Sequence, residues 1–331
     1  MIIAENLVKE FSRPRRAVGR LAGVRSFFST EQVISRAVDD ISLRIDDGEI
    51  VGYLGPNGAG KSTTIKMLTG ILVPTSGHVE VEGIVPWKDR RANARNIGAV
   101  FGQRSQLWTD LPLRESLELI AKLYGLSPEE HRRSLEGFVD LLDMGPFLDT
   151  AVRSLSLGQR MRGDIVAAML YRPPVLYLDE PTVGLDVVAK ARIRDFIAEQ
   201  NRTEGTTVLL TTHDIADIEQ LARRVVIIDE GRLLYDGGLD ALRARYAPFR
   251  EVMVSAPEIP ESFCVDGLEL TRLVPAGDEL RGTFRFDPAV LPAPAAIARL
   301  TATLEISDLS SREPSVEDVI HRIYTDRGVA P

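Results

Sequence analysis

The stretch Gly55-Pro56-Asn57-Gly58-Ala59-Gly60-Lys61-Ser62-Thr63 decides how the rest of this sequence is interpreted. It has the spacing G-x-x-x-x-G-K-[ST] of a phosphate-binding P-loop, and it lies between a strand-like apolar run and a helix-like run, as such a loop requires. The glycines let the backbone wrap a phosphate with its N–H groups pointing inward. Lys61 can reach the β- and γ-phosphates of a nucleotide, and the Ser62 hydroxyl can bind Mg²⁺. The stretch therefore predicts a nucleotide-binding site.

Strand-like and helix-like runs on both sides of this loop predict the fold class. Apolar runs at 49–54, 97–101, 175–180 and 206–212 alternate with helical patterns, which indicates an α/β fold with a largely parallel sheet. Residues 113–123, 128–142 and 161–170 have apolar residues at three- and four-residue spacing and predict an inserted helical subdomain. The segment from Met1 to Phe11 is predicted as a short edge strand. After a change of composition at 243–249, short strands and two helices predict a small α+β domain.

The composition argues against several classes of protein. The 331 residues suffice for one large and one small domain, and the net charge of −8 argues against a general nucleic-acid binder. The single cysteine, Cys264, allows no internal disulfide and fits a reducing compartment. No apolar stretch approaches the roughly 18 residues of a transmembrane helix, and the N-terminus lacks the basic region of a signal peptide. We expect a soluble protein that only a partner could hold at a membrane.

A second motif narrows the classes of nucleotide-binding protein, since a P-loop alone leaves kinases, GTPases, helicases and transport ATPases open. The apolar run from Val175 to Leu178 ends in Asp179 and Glu180, which matches a Walker B motif. Asp179 would hold Mg²⁺, directly or through water, and Glu180 could accept a proton from an attacking water. The N-K-x-D motif of small GTPases does not occur, and no second substrate pocket of a P-loop kinase is evident.

The segment Leu155-Ser156-Leu157-Gly158-Gln159 resembles the signature L-S-G-G-Q of ATP-binding cassette (ABC) proteins, and it lies in the family's order between P-loop and Walker B. The resemblance covers roughly the first three quarters of the chain. It implies that Ser156, Gly158 and Gln159 form a second anion site, which faces the γ-phosphate held by the P-loop of a partner subunit. Leu157 departs from the family pattern, because a glycine is usual there, and it adds bulk beside the phosphate.

The resemblance also implies the architecture. We expect a P-loop NTPase (RecA-like) core with an antiparallel β subdomain and an inserted helical subdomain, followed by a small C-terminal α+β domain. The corresponding boundaries are 1–240 for the nucleotide-binding domain, about 104–171 for the helical subdomain within it, and 241–331 for the accessory domain.

Four further positions match functional residues of the family. Gln103 matches the Q-loop, which senses Mg²⁺ and water, and Asp186 matches the D-loop, where it would cross a dimer interface. His213 matches the switch histidine, which contacts the γ-phosphate. Phe11 is the candidate for the aromatic residue that stacks on adenine, although Phe27 or Phe28 could take that role.

An arginine-rich stretch at 13–36 interrupts the globular pattern. It places five arginines before its first acid, Glu31: Arg13, Arg15, Arg16, Arg20 and Arg25. A solvated loop is one interpretation, and a basic surface near anionic lipid headgroups or a membrane partner is the other.

The function that the resemblance implies is ATP-driven transport. The segments 101–108 and 156–162 and the ending 313–319 are similar to exporter-type ATPases of the viologen or multidrug branch. Two copies would form a homodimer around two Mg-ATP at the cytoplasmic side of the cell membrane, against a separate permease, with Trp108 and residues 110–113 as candidate contacts. No nucleic-acid partner is expected. The alternative is a non-transport cassette ATPase or nucleotide switch in repair, translation or regulation.

Overall fold

The computed structural model describes residues 1–14, 32–102, 104–212, 214–260, 263, 265–313 and 315–326. Gln103, His213, Phe27 and Phe28, and most of the arginine-rich stretch, lie outside the described residues. The chain divides into two compact units, Met1–Gly237 and Gly238–Pro331, called here the first and the second unit. No helix in the described ranges combines the length and apolar character needed to span a bilayer.

The first unit combines two sheets with a set of helices. Its strands are β1 (Ile2–Pro14), β2 (Gln32–Ile45), β3 (Ile50–Leu54), β4 (Ser76–Val81), β5 (Ile97–Phe101), β6 (Val175–Asp179), β7 (Thr207–Thr211), β8 (Arg224–Asp229) and β9 (Arg232–Gly238). Its helices are α1 (Lys61–Leu68), α2 (Arg90–Asn96), α3 (Leu113–Tyr124), α4 (Pro128–Leu141), α5 (Leu157–Met169), α6 (Val187–Glu204) and α7 (Ile215–Leu221), with 3₁₀ turns at Gly145–Phe147 and Val152–Ser154.

The larger sheet has the strand order β5-β6-β7-β3-β8-β9. Four neighbouring pairs are parallel: β5 with β6, β6 with β7, β7 with β3, and β3 with β8. The carboxyl ends of β3, β5, β6 and β7 therefore meet at one edge of the sheet. Strands β6 and β7 are buried along almost their whole length, as is usual for the strands of a parallel sheet that is covered on both faces. The predicted α/β fold with a largely parallel sheet is confirmed.

The smaller sheet is antiparallel and has the order β2-β1-β4. Ile2 pairs with Ile45 on one side and with Val81 on the other, so β1 is the central strand. The prediction of a short edge strand was therefore wrong, both in position and in length. The alternating apolar residues Ile2, Ala4 and Leu7 are fully or almost fully buried and join a core with Tyr53 and Leu68 of the P-loop region.

The inserted helices α3, α4 and α5 are set by local capping signals. Ser127 and Glu130 form a capping box at the start of α4, and Gly125 ends α3 in the left-handed conformation. Helix α5 begins at Leu157, four residues before the apolar pattern at 161–170, because Ser156 caps it. Helix α2, which the sequence pattern did not predict, is short and is capped by Asp89.

In the part that the structure describes, the second unit has a four-stranded antiparallel sheet and three helices. The strands β10 (Arg250–Ala256), β11 (Glu269–Ala276), β12 (Glu279–Phe286) and β13 (Asp308–Arg312) lie in the order β11-β12-β10-β13. The helices are α8 (Leu239–Tyr246), α9 (Ala293–Thr303) and α10 (Val316–Asp326). Apolar residues of one sheet face, among them Val252, Val254 and Phe284, pack with Ala296 and Leu300 of α9 into a separate core.

Candidate functional site

The P-loop connects the end of β3 at Leu54 to the start of α1 at Lys61. Gly60 has a φ of 105°, and a Cβ atom there would lie 2.4 Å from the Ala37 carbonyl oxygen, so only glycine fits. Gly58 has a φ of 88°, and a Cβ atom there would meet no atom within 4 Å. The loop therefore curls around an open space at the N-terminus of α1, where backbone N–H groups and the helix dipole favour an anion.

Lys61 lies inside this curl. Its Nζ donates to the carbonyl oxygens of Gly55 and Pro56, at 2.6 Å and 3.1 Å, and only 6% of the residue is exposed. Burial lowers the pKa of Lys61, while the nearby carboxylates of Glu180 and Asp179 act in the opposite direction. The ammonium is thus held where it can exchange two carbonyl partners for phosphate oxygens.

Asp179, at the end of β6, is held through both of its carboxylate oxygens. The Ser62 hydroxyl donates to Oδ2 at 2.9 Å, and the Thr211 hydroxyl donates to Oδ1 at 2.6 Å. The hydroxyl and carboxylate of Ser62 and Asp179 are the hard oxygen ligands that Mg²⁺ prefers. Within the described residues no group of three or more His, Cys, Asp or Glu side chains could hold a metal. The site thus fits Mg²⁺, which needs only one or two protein ligands when phosphates supply others.

Glu180 follows β6 with an unusual backbone conformation. Its φ is 57°, which is uncommon for a residue other than glycine, and its N–H donates to the Thr211 carbonyl oxygen at 2.9 Å. Gly102 lies alongside: its N–H donates to the Asp179 carbonyl oxygen at 2.9 Å, and a Cβ atom at Gly102 would lie 2.9 Å from the Glu180 carbonyl oxygen. The chain that leads to Gln103 therefore passes directly over the two Walker B acids.

The signature segment forms the N-terminus of α5. Ser156 and Gln159 make a capping box: the Gln159 N–H donates to the Ser156 Oγ at 3.2 Å, and the Ser156 N–H donates to the Gln159 Oε1 at 2.8 Å. Because the first amides of a helix have no partner within it, the donors left for an anion are those of Leu157 and Gly158. The side chains of Ser156 and Gln159 thus shape this terminus, while its amides are directed outward.

The D-loop packs against the signature segment of the same chain. A Cβ atom at Gly184 would lie 2.9 Å from the Leu157 Cδ2, and one at Gly158 would lie 3.6 Å from the Leu185 Cδ2. Asp186 caps α6 by accepting a hydrogen bond from the Ala189 N–H at 2.8 Å. Leu157 is 39% exposed, and Val183 and Val187, on either side of Gly184 to Asp186, are also exposed, so the D-loop adds apolar surface beside the signature segment.

A buried polar cluster, which the sequence did not predict, lies beside these motifs. The Asp217 carboxylate on α7 accepts hydrogen bonds from the Thr182 hydroxyl at 2.5 Å, the Thr212 hydroxyl at 3.2 Å and Arg194 Nη1 at 2.8 Å. Thr211 was also missed. The signal that could have found it is position, because the neighbouring parallel strands β6 and β7 place Thr211 in register with Asp179.

Phe11 lies on the central strand of the smaller sheet. Phe11 is half-buried on β1 and pairs with Ser35, two residues before Ala37, which contacts the P-loop at Gly60. Lys9 Nζ lies 5.3 Å from the centre of the Phe11 ring. Adenine stacking by Phe11 stays a prediction.

Comparison with known proteins is consistent with these motifs. The model of the ABC transporter family matches residues 38–183. The daunorubicin resistance ATP-binding protein DrrA3 of Streptomyces coeruleorubidus is 32% identical over 305 residues, which cover 89% of this chain and 93% of DrrA3. The ABC transporter ATP-binding protein NatA of Bacillus subtilis (strain 168) is 33% identical over 215 residues, which cover 65% of this chain and 87% of NatA.

Solved structures give the same result at the level of the fold. The dimeric post-hydrolysis structure of the ATP-binding cassette MJ0796, bound to ADP and Pi, superposes with a TM-score of 0.61 at 26% identity, over 72% of this chain and 99% of that one. The predicted P-loop NTPase fold is therefore confirmed.

Proposed function

Because the chain belongs to the ATP-binding subunits of the ABC transporter family and is an ATPase of that family, we propose that it drives export through a separate membrane permease. The proposal rests on the geometry of three motifs. The P-loop and the Walker B acids meet at one edge of the larger sheet, and the signature segment begins one of the adjoining helices. Similarity over most of the chain to a daunorubicin resistance ATP-binding protein supports export as the direction.

The chain supplies one side of the reaction from its own residues. Lys61 would donate to β- and γ-phosphate oxygens in place of the carbonyls of Gly55 and Pro56. Ser62 and Asp179 would hold Mg²⁺, which when bound offsets negative charge on the phosphates. Glu180 would accept the proton of the attacking water. Contacts of Gln103 with Mg²⁺ and water, and of His213 with the γ-phosphate, belong to the same proposal.

A second copy of the chain would supply the other side. The amides of Leu157 and Gly158 would bind the γ-phosphate held by the partner's P-loop, where charge develops in the transition state. Two copies would therefore pair head to tail around two ATP molecules, with Asp186 and its neighbours at the interface. The dimeric relative with ADP and Pi supports this arrangement.

The permease would bind next to the helical subdomain, on the cytoplasmic face of the membrane. A groove of about 340 Å³ lies there, lined by Ile71, Phe101, Arg104, Tyr124 and Tyr171, among others. Trp108 is 44% exposed and Leu123 is 75% exposed, which leaves apolar surface for a partner on this side. Dimer closure would move this groove together with the subdomain.

Replacing Glu180 by glutamine tests the proposed site. Without the proton acceptor, the E180Q chain should bind Mg-ATP, hydrolyse it at least about a hundredfold more slowly, and accumulate as a dimer. Light scattering after gel filtration measures the dimer, and phosphate release measures the rate. The E180Q, K61A double variant is the control and should stay monomeric. An E180Q chain that stays monomeric at saturating Mg-ATP would contradict the sandwich.

Coupling to a permease needs a separate experiment. Co-expression with a polytopic membrane protein that lacks a cassette and is encoded beside this chain should bring the chain to the membrane fraction. Inverted vesicles from these cells should then accumulate the cargo in the presence of ATP, and vesicles with E180Q should not. A chain that stays in the soluble fraction with every such neighbour would favour the non-transport alternative.

A further inference from the structure

A buried acid outside the nucleotide motifs connects two parts of the site. Asp164 lies on α5, about two turns after the signature amides, and is 5% exposed. Its Oδ1 accepts hydrogen bonds from the Ser105 hydroxyl at 2.9 Å and from the Gln106 N–H at 3.0 Å. The Gln106 side-chain amide also donates to the Asp164 carbonyl oxygen at 3.1 Å. Three bonds thus fix residues 105 and 106 to the middle of the signature helix.

The same short segment begins beside the Walker B acids. The Gly102 N–H donates to the Asp179 carbonyl oxygen, and the Arg104 N–H donates back to the Phe101 carbonyl oxygen at 2.8 Å. The Ser105 Oγ also accepts from the Leu107 N–H at 3.2 Å, which stiffens the segment before it reaches α3. Residues 104–107, called here the link segment, therefore connect the region just after β5 with Asp164.

We propose that Asp164 is a positioning residue that makes the signature helix α5 move together with the link segment. A change of conformation beside Asp179 and Glu180 would then change where the amides of Leu157 and Gly158 lie. The bonds to Oδ1 carry the connection, because a carboxylate is a stronger acceptor than a neutral group. The proposal rests on the proposed function only in assigning the signature amides to a partner's phosphate.

Stability does not account for an acid at this position. Burial raises the pKa of Asp164 to about 6, although the bonds from Gln106 and Ser105 and the charge of Arg160 oppose the rise. Arg104, Tyr124 and Tyr171 line the groove beside it. The neighbouring position Gly163 packs against Leu107 and Leu113, so the surroundings of α5 are apolar. An ionised group there at neutral pH costs free energy, which the bonds to Oδ1 offset only in part.

Four variants in the E180Q background test the proposal. D164A removes the acceptor, D164N keeps an oxygen acceptor without the charge, and S105A removes one donor. D140N is the control, because Asp140 is an exposed acid on α4 of the same subdomain. We expect D164A to weaken Mg-ATP-driven dimerisation about tenfold, because a hydrogen bond to a charged acceptor contributes free energy of that size. D164N and S105A should weaken dimerisation less. ATP binding by the monomer should stay within about twofold of E180Q for all four, because none of these residues touches its nucleotide.

Three further readouts separate positioning from folding. The effects of D164A and S105A should be non-additive, because both remove the same bond. The thermal midpoint of D164N should be at least that of E180Q although its dimer is weaker. Amide hydrogen exchange in E180Q should show Mg-ATP-induced protection both at residues 104–107 and at 155–163. Protection at 155–163 should be lost in D164A and reduced in D164N, while protection at 104–107 remains in both.

The outcomes are distinct. The proposal is overturned if D164A and D164N dimerise as well as D140N. It is also overturned if, across all variants, the loss of dimerisation parallels the decrease in the thermal midpoint. If E180Q itself does not dimerise, the proposed sandwich fails, and hydrogen exchange in the monomer is then the test of the role of Asp164. Protection at 155–163 in D164N that equals that in E180Q would overturn this role, and a selective decrease of that protection would support it. If D164A does not fold, D164N and S105A carry the test.

Discussion

At the scale of single residues, Gly60 shows how strictly the P-loop limits its sequence. Replacing it by alanine would place a Cβ atom against the Ala37 carbonyl oxygen at 2.4 Å in a left-handed backbone conformation. We expect G60A to lower the free energy of unfolding by about 3 kcal/mol and to abolish ATP binding, because the loop must open to relieve the clash. Urea unfolding and binding of a fluorescent ATP analogue measure the two effects.

Gly205 is the matched control for this substitution. Its φ of 68° is also left-handed, but a Cβ atom there would meet nothing within 4 Å. G205A should therefore lower the free energy of unfolding by only about 1 kcal/mol, the cost of the backbone strain, and should keep ATP binding. Equal losses for G60A and G205A would show that strain, and not the contact with Ala37, sets the cost.

Asp164 gives a prediction on pH at the same scale. Burial raises its pKa from 3.8 to about 6, so the folded protein holds this proton more tightly than the unfolded chain does. The resulting stabilisation is present below about pH 4 and is lost as the pH rises through 6. The difference between the pKa values of the unfolded and the folded chain corresponds to about 3 kcal/mol of unfolding free energy. D164N should therefore be more stable than the parent at pH 7.5, by up to that amount, and should change less between pH 5 and pH 7.5.

Urea unfolding at the two pH values checks the prediction for Asp164, with D140N as the control that should follow the parent. A D164N chain with the same pH dependence as the parent would show that Asp164 does not titrate in this range.

At the scale of elements, Asp217 joins α6, α7 and the end of β7. Arg194 and Asp217 have side chains that are 13% and 1% exposed, so D217N would leave a buried arginine without its counter-ion. We expect a loss of about 3 kcal/mol in unfolding free energy. ATPase activity should also fall, because the asparagine offers one oxygen acceptor where the carboxylate offered two, and Thr182, Thr212 and Arg194 beside the proposed site cannot all keep theirs.

An exposed pair on the same helix provides the control. Glu199 and Arg202 have side chains that are 36% and 72% exposed, and E199Q should change the unfolding free energy by less than about 1 kcal/mol. If D217N and E199Q behave alike, the buried cluster contributes no more than a surface ion pair.

The secondary-structure elements also show which parts of the fold could be predicted from the sequence. The strands β3, β5, β6 and β7 could be predicted because strands buried on both faces form nearly continuous apolar runs. The motifs could be predicted because phosphate chemistry needs fixed residue types at fixed spacing. β11 and β13 were missed because they lie at sheet edges and are mostly exposed, which leaves little apolar pattern. The Asp217 cluster was missed because its partners come together only in the folded chain.

At the scale of the whole molecule, the nucleotide-site motifs lie in one of the two compact units. The P-loop, Walker B, signature and D-loop residues all lie in the first unit, together with its own core. The second unit has a core of its own, built from one sheet face and α9. Nothing in the proposed reaction draws on a residue after 238.

Removal of the second unit tests this division. A chain of residues 1–238 carrying E180Q keeps β9 intact and should still dimerise with Mg-ATP, with a dissociation constant within about threefold of that of the full chain, because every proposed interface residue remains. Light scattering on both E180Q chains measures the dimer, and phosphate release from the same two chains with Glu180 restored measures activity. If the shortened chain keeps its thermal midpoint but stays monomeric, the second unit contributes to the dimer. The head-to-tail contact around ATP would then be only part of the interface, and the sheet of the second unit would be the next surface to test by substitution.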